Sequence, residues 1–312
     1  MIQSTAWPPG WSKIAPRVTG DSRIWAIIVQ NLKMAEIITA NNGRPLIMGI
    51  LNVTPDSFSD GGDFFNSEDA VAHGLQMAAE GADIIDVGGE STRPGAQRIP
   101  AAEQIRRVVP VIERLRSKLP GQIVISVDTT LTEVASAACS AGAGMVNDIA
   151  AAEEDAGILQ LAADMGLPLI LMHKQGTPES MQKNPVYENV VEDVLAYLLG
   201  RADTAIRAGV KQENLILDPG FGFGKTLEHN LLLMANLHRF SESGYTAMIG
   251  TSRKTFLSRL CGTDDRKSLM GACCATTALG VAAGVRLFRV HDVQANRQAA
   301  DVAYAMSVRG EG

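Results

Sequence analysis

Eight short apolar runs recur along the chain: Leu46–Leu51, Asp83–Val87, Ile123–Val127, Gly144–Asn147, Pro168–Met172, Asn214–Leu217, Thr246–Ile249 and Arg286–Val290. They are apolar at successive positions rather than alternate ones, the pattern of parallel strands covered on both faces. Between them lie stretches with helical character: Ser67–Glu80, Ala101–Lys118, Thr132–Ala141, Ala156–Met165, Tyr187–Ala208, Thr226–Phe240, Asp265–Ala283 and Val293–Met306. In the second, Ile105, Val108, Val109, Ile112 and Leu115 share one face, and Ser67 reads as the N-cap of the first. Strand and helix alternating in this way predict an α/β fold with a parallel sheet, either a (β/α)8 barrel or a doubly wound sheet.

The strand ends narrow the choice. Each run stops at polar residues: Asn52; Gly88 to Arg93; Asp128; Asn147-Asp148; His173-Lys174; Asp218; Ser252-Arg253-Lys254; and Arg289 with His291. One Asp or Asn after a strand is ordinarily a helix cap. Such residues after nearly every strand are better explained by a barrel, whose strands all open at one mouth. Residues 44–312 then form one barrel domain. Residues 1–43 are an N-terminal extension, rich in Pro, Gly, Ser and Thr up to about Gly20. Its Arg23–Asn42 stretch is apolar enough to pack as a hairpin or helix. All three tryptophans (Trp7, Trp11, Trp25) fall in this extension.

Several functions are disfavoured. Net charge is −6, against the basic face that a nucleic-acid partner requires. No apolar run is long enough to span a membrane, and no export signal opens the chain. Cys139, Cys261, Cys273 and Cys274 show no CxxC spacing and read as free thiols of a cytoplasmic protein. The segment Asp218-Pro219-Gly220-Phe221-Gly222-Phe223-Gly224-Lys225-Thr226 has Pro where a P-loop needs its first glycine. Its last glycine spacing is also too short for a dinucleotide fingerprint. It reads as a flexible loop presenting Asp218, two phenylalanines and Lys225. No HExxH, GxSxG or cysteine cluster is present.

Two glycine-bearing loops carry the sharpest signal: Met48-Gly-Ile-Leu-Asn52-Val-Thr-Pro-Asp56-Ser-Phe58-Ser-Asp60-Gly61-Gly62, and Asp86-Val-Gly-Gly-Glu90-Ser-Thr92-Arg93-Pro94-Gly95. With Ser126-Val-Asp128, Asn147-Asp148, Leu171-Met-His173, Asp218 to Lys225, Ser252-Arg-Lys254 and Arg289-Val-His291 they closely resemble the dihydropteroate synthases. These are pterin-binding barrel enzymes of folate biosynthesis. The resemblance implies a transferase that condenses 6-hydroxymethyl-7,8-dihydropterin diphosphate with 4-aminobenzoate by an SN1-like route. It also implies Mg2+, a homodimer and inhibition by sulfonamides. A methyltetrahydrofolate-corrinoid methyltransferase would share the pterin residues but has no use for a diphosphate pocket. A barrel that only binds pterin would be expected to have lost Asn52, Asp218, Lys254 or Arg289, and all four are present.

By the same resemblance Asp218, Asn147, Asp128, Lys254 and Arg289 bind the pterin. A carboxylate suits adjacent N–H donors on a pyrimidine edge, and Asp218 is the candidate. Asn52, Thr92, Arg289 and His291 bind diphosphate, with Asn52 as the Mg2+ ligand. Phe58, Thr92, Arg93, Pro94, Phe223, Ser252 and Thr255 form the aminobenzoate pocket, Thr255 standing where the family often has Ser. Asp60 or Asp56 stabilises the cationic methylene, and Lys254 and Arg289 assist catalysis. Gly61-Gly62 and Gly88-Gly89 are expected in loops that rearrange over substrate. His173 is expected to pack near the mouth rather than to act in catalysis.

Overall fold

The computed structural model describes residues 37, 43–54, 67–91, 98–176, 181 and 185–309. Eight parallel strands close in sequence order into a barrel: β1 (Leu46–Asn52), β2 (Ile84–Gly88), β3 (Val124–Asp128), β4 (Met145–Asp148), β5 (Leu169–Met172), β6 (Leu215–Asp218), β7 (Thr246–Ile249) and β8 (Leu287–Val290). Strand order 1 to 8 with β8 paired to β1 excludes the doubly wound sheet. Ten α-helices occur among the described residues. They are α1 (Ser67–Ala79), α2 (Ala101–Lys118), α3 (Thr132–Ser140), α4 (Gly157–Met165), α5 (Val190–Arg207), α6 (Leu227–Ala235), α7 (Leu237–Ser241), α8 (Thr255–Cys261), α9 (Met270–Ala282) and α10 (Val293–Ser307).

The strands are apolar on both faces because they serve two cores. One set of positions, including Ile47, Ile85, Ile125, Val146, Leu171 and Leu217, packs outward against the helices. The alternate set, Leu46, Met48, Ile84, Val124, Met145, Ile170, Ile216, Met248 and Leu287, fills the barrel interior. Ile37, from the N-terminal extension, is buried in that same interior cluster. Side chains repeat every second residue along a strand. The rung above this plug is therefore Ile50, Asp86, Ser126, Asn147, Met172, Asp218, Gly250 and Arg289. The change from apolar to polar is one rung deep, and it places the floor of the mouth.

Local chemistry accounts for the departures from the predicted elements. α1 begins at Ser67 itself, so Ser67 is a helical residue and not its cap; its Oγ accepts from Arg114 Nη1 at 3.0 Å. The predicted Tyr187–Ala208 helix starts at Val190, where the Asn189 side chain accepts the Val191 and Glu192 N–H groups. Thr226–Phe240 divides into α6 and α7 at Asn236, whose amide donates to Leu232 O. Asp265–Ala283 opens as a 3-10 turn, Arg266–Leu269, capped by Asp265, before α9. α8 follows Lys254 directly and has no counterpart in the predicted pattern.

Gly88-Gly89 do not belong to a free loop. Gly88 closes β2, and Gly89 presses on α2, where a Cβ would lie 2.9 Å from Val108. The other pair expected to rearrange, Gly61-Gly62, lies outside the described residues, as does the N-terminal extension apart from Ile37 and Gly43.

Candidate active site at the barrel mouth

A cavity of about 330 Å3 opens at the carboxyl ends of the strands. Of the residues expected to form the site, Asn52, Asn147, Asp218, Phe223, Ser252, Lys254, Thr255, Arg289 and His291 line it. Asp128 lines a smaller neighbouring cavity of about 40 Å3 with Glu90, Ser91 and Thr129, and joins the main one through Arg289. Asp56, Phe58, Asp60, Thr92, Arg93 and Pro94 lie outside the described residues. Among the described residues, seven cations (Lys225, Arg253, Lys254, Arg259, Arg266, Lys267 and Arg289) share the cavity lining with one carboxylate, Asp218. The mouth thus reverses the sign of the whole chain.

Arg289 is the best-anchored cation. Its Nε donates to Asp86 Oδ2 and its Nη2 to Asp128 Oδ2, each at 2.7 Å. Three strands, β8, β2 and β3, thereby fix the plane of one guanidinium. Burial works against its charge, but the two carboxylates outweigh burial and hold its pKa above the ordinary value. Asp128 is pushed up to about 7 by burial, with Arg289 opposing and Asp86 reinforcing the rise. Asp86 also accepts from Asn147 Nδ2 at 2.9 Å. That bond turns the Asn147 carbonyl oxygen away from Asp86. Asp86 Oδ1, Asn147 Oδ1 and Ser126 Oγ are buried without a hydrogen-bond partner among the described residues. A polar rung with open acceptors is a surface prepared for a donor-rich ligand edge.

Asp218 ends β6, 4% exposed, and accepts the Gly220 N–H at 2.8 Å. Burial raises its pKa. Lys254 faces it across the cavity. Burial and then the repulsion of Arg289 bring the Lys254 ammonium down to about 8. Its Nζ lies 4.1 Å from the centroid of the Phe223 ring, a cation–π contact. The preceding residue, Arg253, has φ +58°, a conformation a branched or long side chain rarely adopts. Its guanidinium pairs with Asp292 (2.6 and 3.2 Å), and its N–H meets Cys273 Sγ at 3.3 Å. This turn at Arg253 leads directly into Lys254, which lines the cavity.

Ser252 Oγ accepts the His291 N–H at 3.2 Å and lies 3.0 Å from His291 Nδ1. With the hydroxyl proton given to Nδ1, a neutral ring carries its own proton on Nε2. Thr255 is the first residue of α8, and Arg266 Nη2 reaches its hydroxyl at 3.5 Å.

The sequence reading did not single out three features of this site. Asp86 is the keystone between Arg289 and Asn147, and its signal was a lone carboxylate inside the apolar run Ile84-Ile85-Asp86-Val87. Lys225 is buried at the cavity wall rather than presented by a flexible loop. Arg259, on a helix that periodicity did not reveal, extends the cationic rim together with Arg266 and Lys267 of the 3-10 turn before α9. His173 does not reach the cavity lining; it is buried against Lys225 and Tyr197.

A family model described as pterin binding enzyme matches residues 48–291, β1 through His291. The dihydropteroate synthase of Haemophilus influenzae is 45% identical over 251 residues, covering 80% of this chain and 90% of the relative. The chain belongs to the dihydropteroate synthase family. Members are transferases that make dihydropteroate in folate biosynthesis. Among solved structures, the Xanthomonas albilineans dihydropteroate synthase with 4-aminobenzoic acid superposes with TM-score 0.79 at 45% identity, over 85% of this chain and 93% of that one. The Yersinia pestis dihydropteroate synthase with a sulfonamide drug gives 0.80 at 38% identity, over 89% and 96%. The described mouth therefore belongs to the shared barrel, and the family match, which starts at residue 48, begins beyond the N-terminal extension.

Proposed function

We propose that this mouth condenses 6-hydroxymethyl-7,8-dihydropterin diphosphate with 4-aminobenzoate, giving 7,8-dihydropteroate and pyrophosphate. The observation that carries the reading is the polar rung: Asp218 and Asn147 buried on the floor beside Arg289, with Lys254 lining the same cavity. In this reading Asp218 accepts the N–H donors of the pterin edge, and the open Asn147 carbonyl accepts a further one. A ligand without those donors would leave acceptors unpaired in the buried floor, at about 1–3 kcal/mol each. Selectivity for the pterin follows from that penalty.

The C–O bond to the diphosphate breaks with its electron pair leaving on oxygen. Charge then grows on the leaving group beside Arg289 and His291, cations and donors already held in place. The arylamine lone pair forms the new C–N bond, and its proton passes to solvent. A carboxylate at Asp60 or Asp56 stabilises the cationic methylene. Phe223, Ser252 and Thr255, together with Phe58, Thr92, Arg93 and Pro94, receive the aminobenzoate. Thr92 and Asn52 complete the diphosphate pocket.

The residues fit Mg2+. Asn52 closes β1 at the cavity, and its amide oxygen is a hard neutral donor with no hydrogen bond among the described residues. Among those residues no group of three His, Cys, Asp or Glu offers an all-protein cage. Mg2+ accepts such a site, taking its remaining ligands from phosphate and water. Held by Asn52, it would neutralise diphosphate charge.

We also read the chain as a cytoplasmic homodimer. Leu279, Val302 and Met306, on the adjacent α9 and α10, are more than half exposed and support a second copy covering that face. The thiols of Cys139, Cys261, Cys273 and Cys274 are free, in keeping with a reducing compartment. Among the described residues no helix is long and apolar enough to cross a membrane. Nucleic acid has no place in this reading, since the cations gather in a pocket rather than on a surface stripe.

The test is pyrophosphate release. It should require Mg2+, pterin diphosphate and 4-aminobenzoate together. Equal release without the arylamine would make the protein a diphosphatase, and methyl transfer from methyltetrahydrofolate would make it a methyltransferase.

A further inference from the structure

The loop from β6 to α6, residues 219–226, carries Phe223 into the cavity and is folded hard onto the exit of β5. At Gly220 (φ +68°) a Cβ would stand 2.0 Å from His173 O, and at Gly224 (φ +65°) 2.3 Å from Gln175 O. Packing this close turns several carbonyls inward, away from water. Lys225 receives them. Its Nζ lies 2.9 Å from Gly220 O, 3.1 Å from Phe223 O and 2.9 Å from His173 Nδ1, with His173 O at 3.5 Å. An ammonium has three N–H donors, and three near acceptors use them all. None is left for a ligand, although Lys225 lines the cavity at 2% exposure.

We infer that Lys225 is a positioning residue for the second substrate: its buried ammonium holds the β6–α6 loop in the shape that seats Phe223 against the arylamine. The inference rests on the functional reading above. Asp218 and Phe223 differ in how they are held. The Asp218 backbone belongs to β6, and its carbonyl accepts the His173 N–H at 3.0 Å, so the sheet fixes it; the loop meets its carboxylate through the Gly220 N–H at 2.8 Å. Phe223 stands outside the sheet. Its N–H bonds to Gly220 O and its carbonyl to Lys225, so its position depends on the loop that the ammonium braces. Arylamine binding should therefore respond to Lys225 more than pterin binding does.

Lys225→Met keeps the unbranched stem, one atom shorter, and removes all three donors. The full-length variant should show a KM for 4-aminobenzoate raised about tenfold or more, from the loss of buried charge-assisted hydrogen bonds. The KM for the pterin diphosphate should stay within about twofold, because strand pairing rather than the loop fixes the Asp218 backbone. Lys225→Ala leaves a slot that opens to the cavity, and n-propylammonium should lower the arylamine KM again while n-propanol does not. Rescue by both equally would make Lys225 a volume filler and overturn the inference. So would a parallel rise in both KM values, or no rise in either. Should these variants not fold, His173→Phe removes one acceptor and keeps the carbonyls, and it should raise the arylamine KM selectively; an unchanged value overturns the inference. Wild-type protein with no arylamine-dependent turnover would overturn the functional reading itself, whereas an active wild type with unselective variants overturns this inference alone.

Discussion

Asp86→Asn probes the keystone of the mouth. The substitution keeps the shape of the side chain and removes its charge. Asp86 Oδ2 accepts two bonds, from Arg289 Nε at 2.7 Å and Asn147 Nδ2 at 2.9 Å, and an amide oxygen can still accept both. Each bond then loses its charge assistance, which lowers its worth by about 1 kcal/mol. The expected loss is therefore about 2 kcal/mol, or a fall in Tm of about 3–4 °C for a barrel of this size. If half or more of that reaches the transition state through a loosened Arg289, kcat/KM falls about 5- to 30-fold. Asp128→Asn should behave similarly, because it removes the matching charge at Arg289 Nη2. Removing both charges should cost more than the sum. Arg289 would then be a buried cation with neither carboxylate charge beside it, and the uncompensated charge brings the loss above the roughly 4 kcal/mol of the two singles together. Thermal melts and pyrophosphate-release kinetics on the two single variants and the double variant supply the measurement. A double variant that is merely additive, or a Tm for Asp86→Asn within about 1 °C of wild type, would refute the claim that two carboxylates share the guanidinium.

Three other outcomes are expected. Asp218→Asn should weaken pterin binding far more than pyrophosphate binding, measured by titration calorimetry, and comparable losses would remove Asp218 from the pterin edge. Glu154, paired with Arg98 and Lys174, resists burial and is held down to about 2. Its stabilisation is whole above the ordinary carboxylate value of 4.5 and is lost as pH falls through about 2. Wild-type Tm should consequently fall more steeply below pH 4.5 than that of Glu154→Gln, and identical slopes would contradict the assignment. Gly220→Ala would drive a Cβ to 2.0 Å from a backbone carbonyl at φ +68°. It should cost more than about 3 kcal/mol or abolish soluble expression, and a Tm near wild type would mean that the loop can move away.

Most of the barrel was legible in the sequence because its signals are local. Continuous apolar runs mark strands buried on two faces, and the polar residues that end them mark a shared mouth. Asn52, Asn147, Asp218, Lys254, Arg289 and His291 all stand where that pattern implied. Boundaries that depend on one side chain bonding the backbone, such as the cap at Asn189 and the break at Asn236, were not legible, because the same residues occur equally well inside loops.

The alternation of strands and helices, the family resemblance and the set of polar residues available at the strand ends are all written in the order of residues along the chain. Which of those residues meet is settled by barrel closure. Asp86 and Arg289 are 203 residues apart, and no local pattern records that their side chains share one rung of a closed barrel. Lys225 was equally hidden. Its neighbours along the chain describe a glycine-rich loop, but its chemistry is set by carbonyls that become inward-facing only when that loop packs against β5. A periodic pattern is written along the chain, whereas the pairing of buried charges depends on closure of the barrel, which brings distant strands together and excludes water from between them.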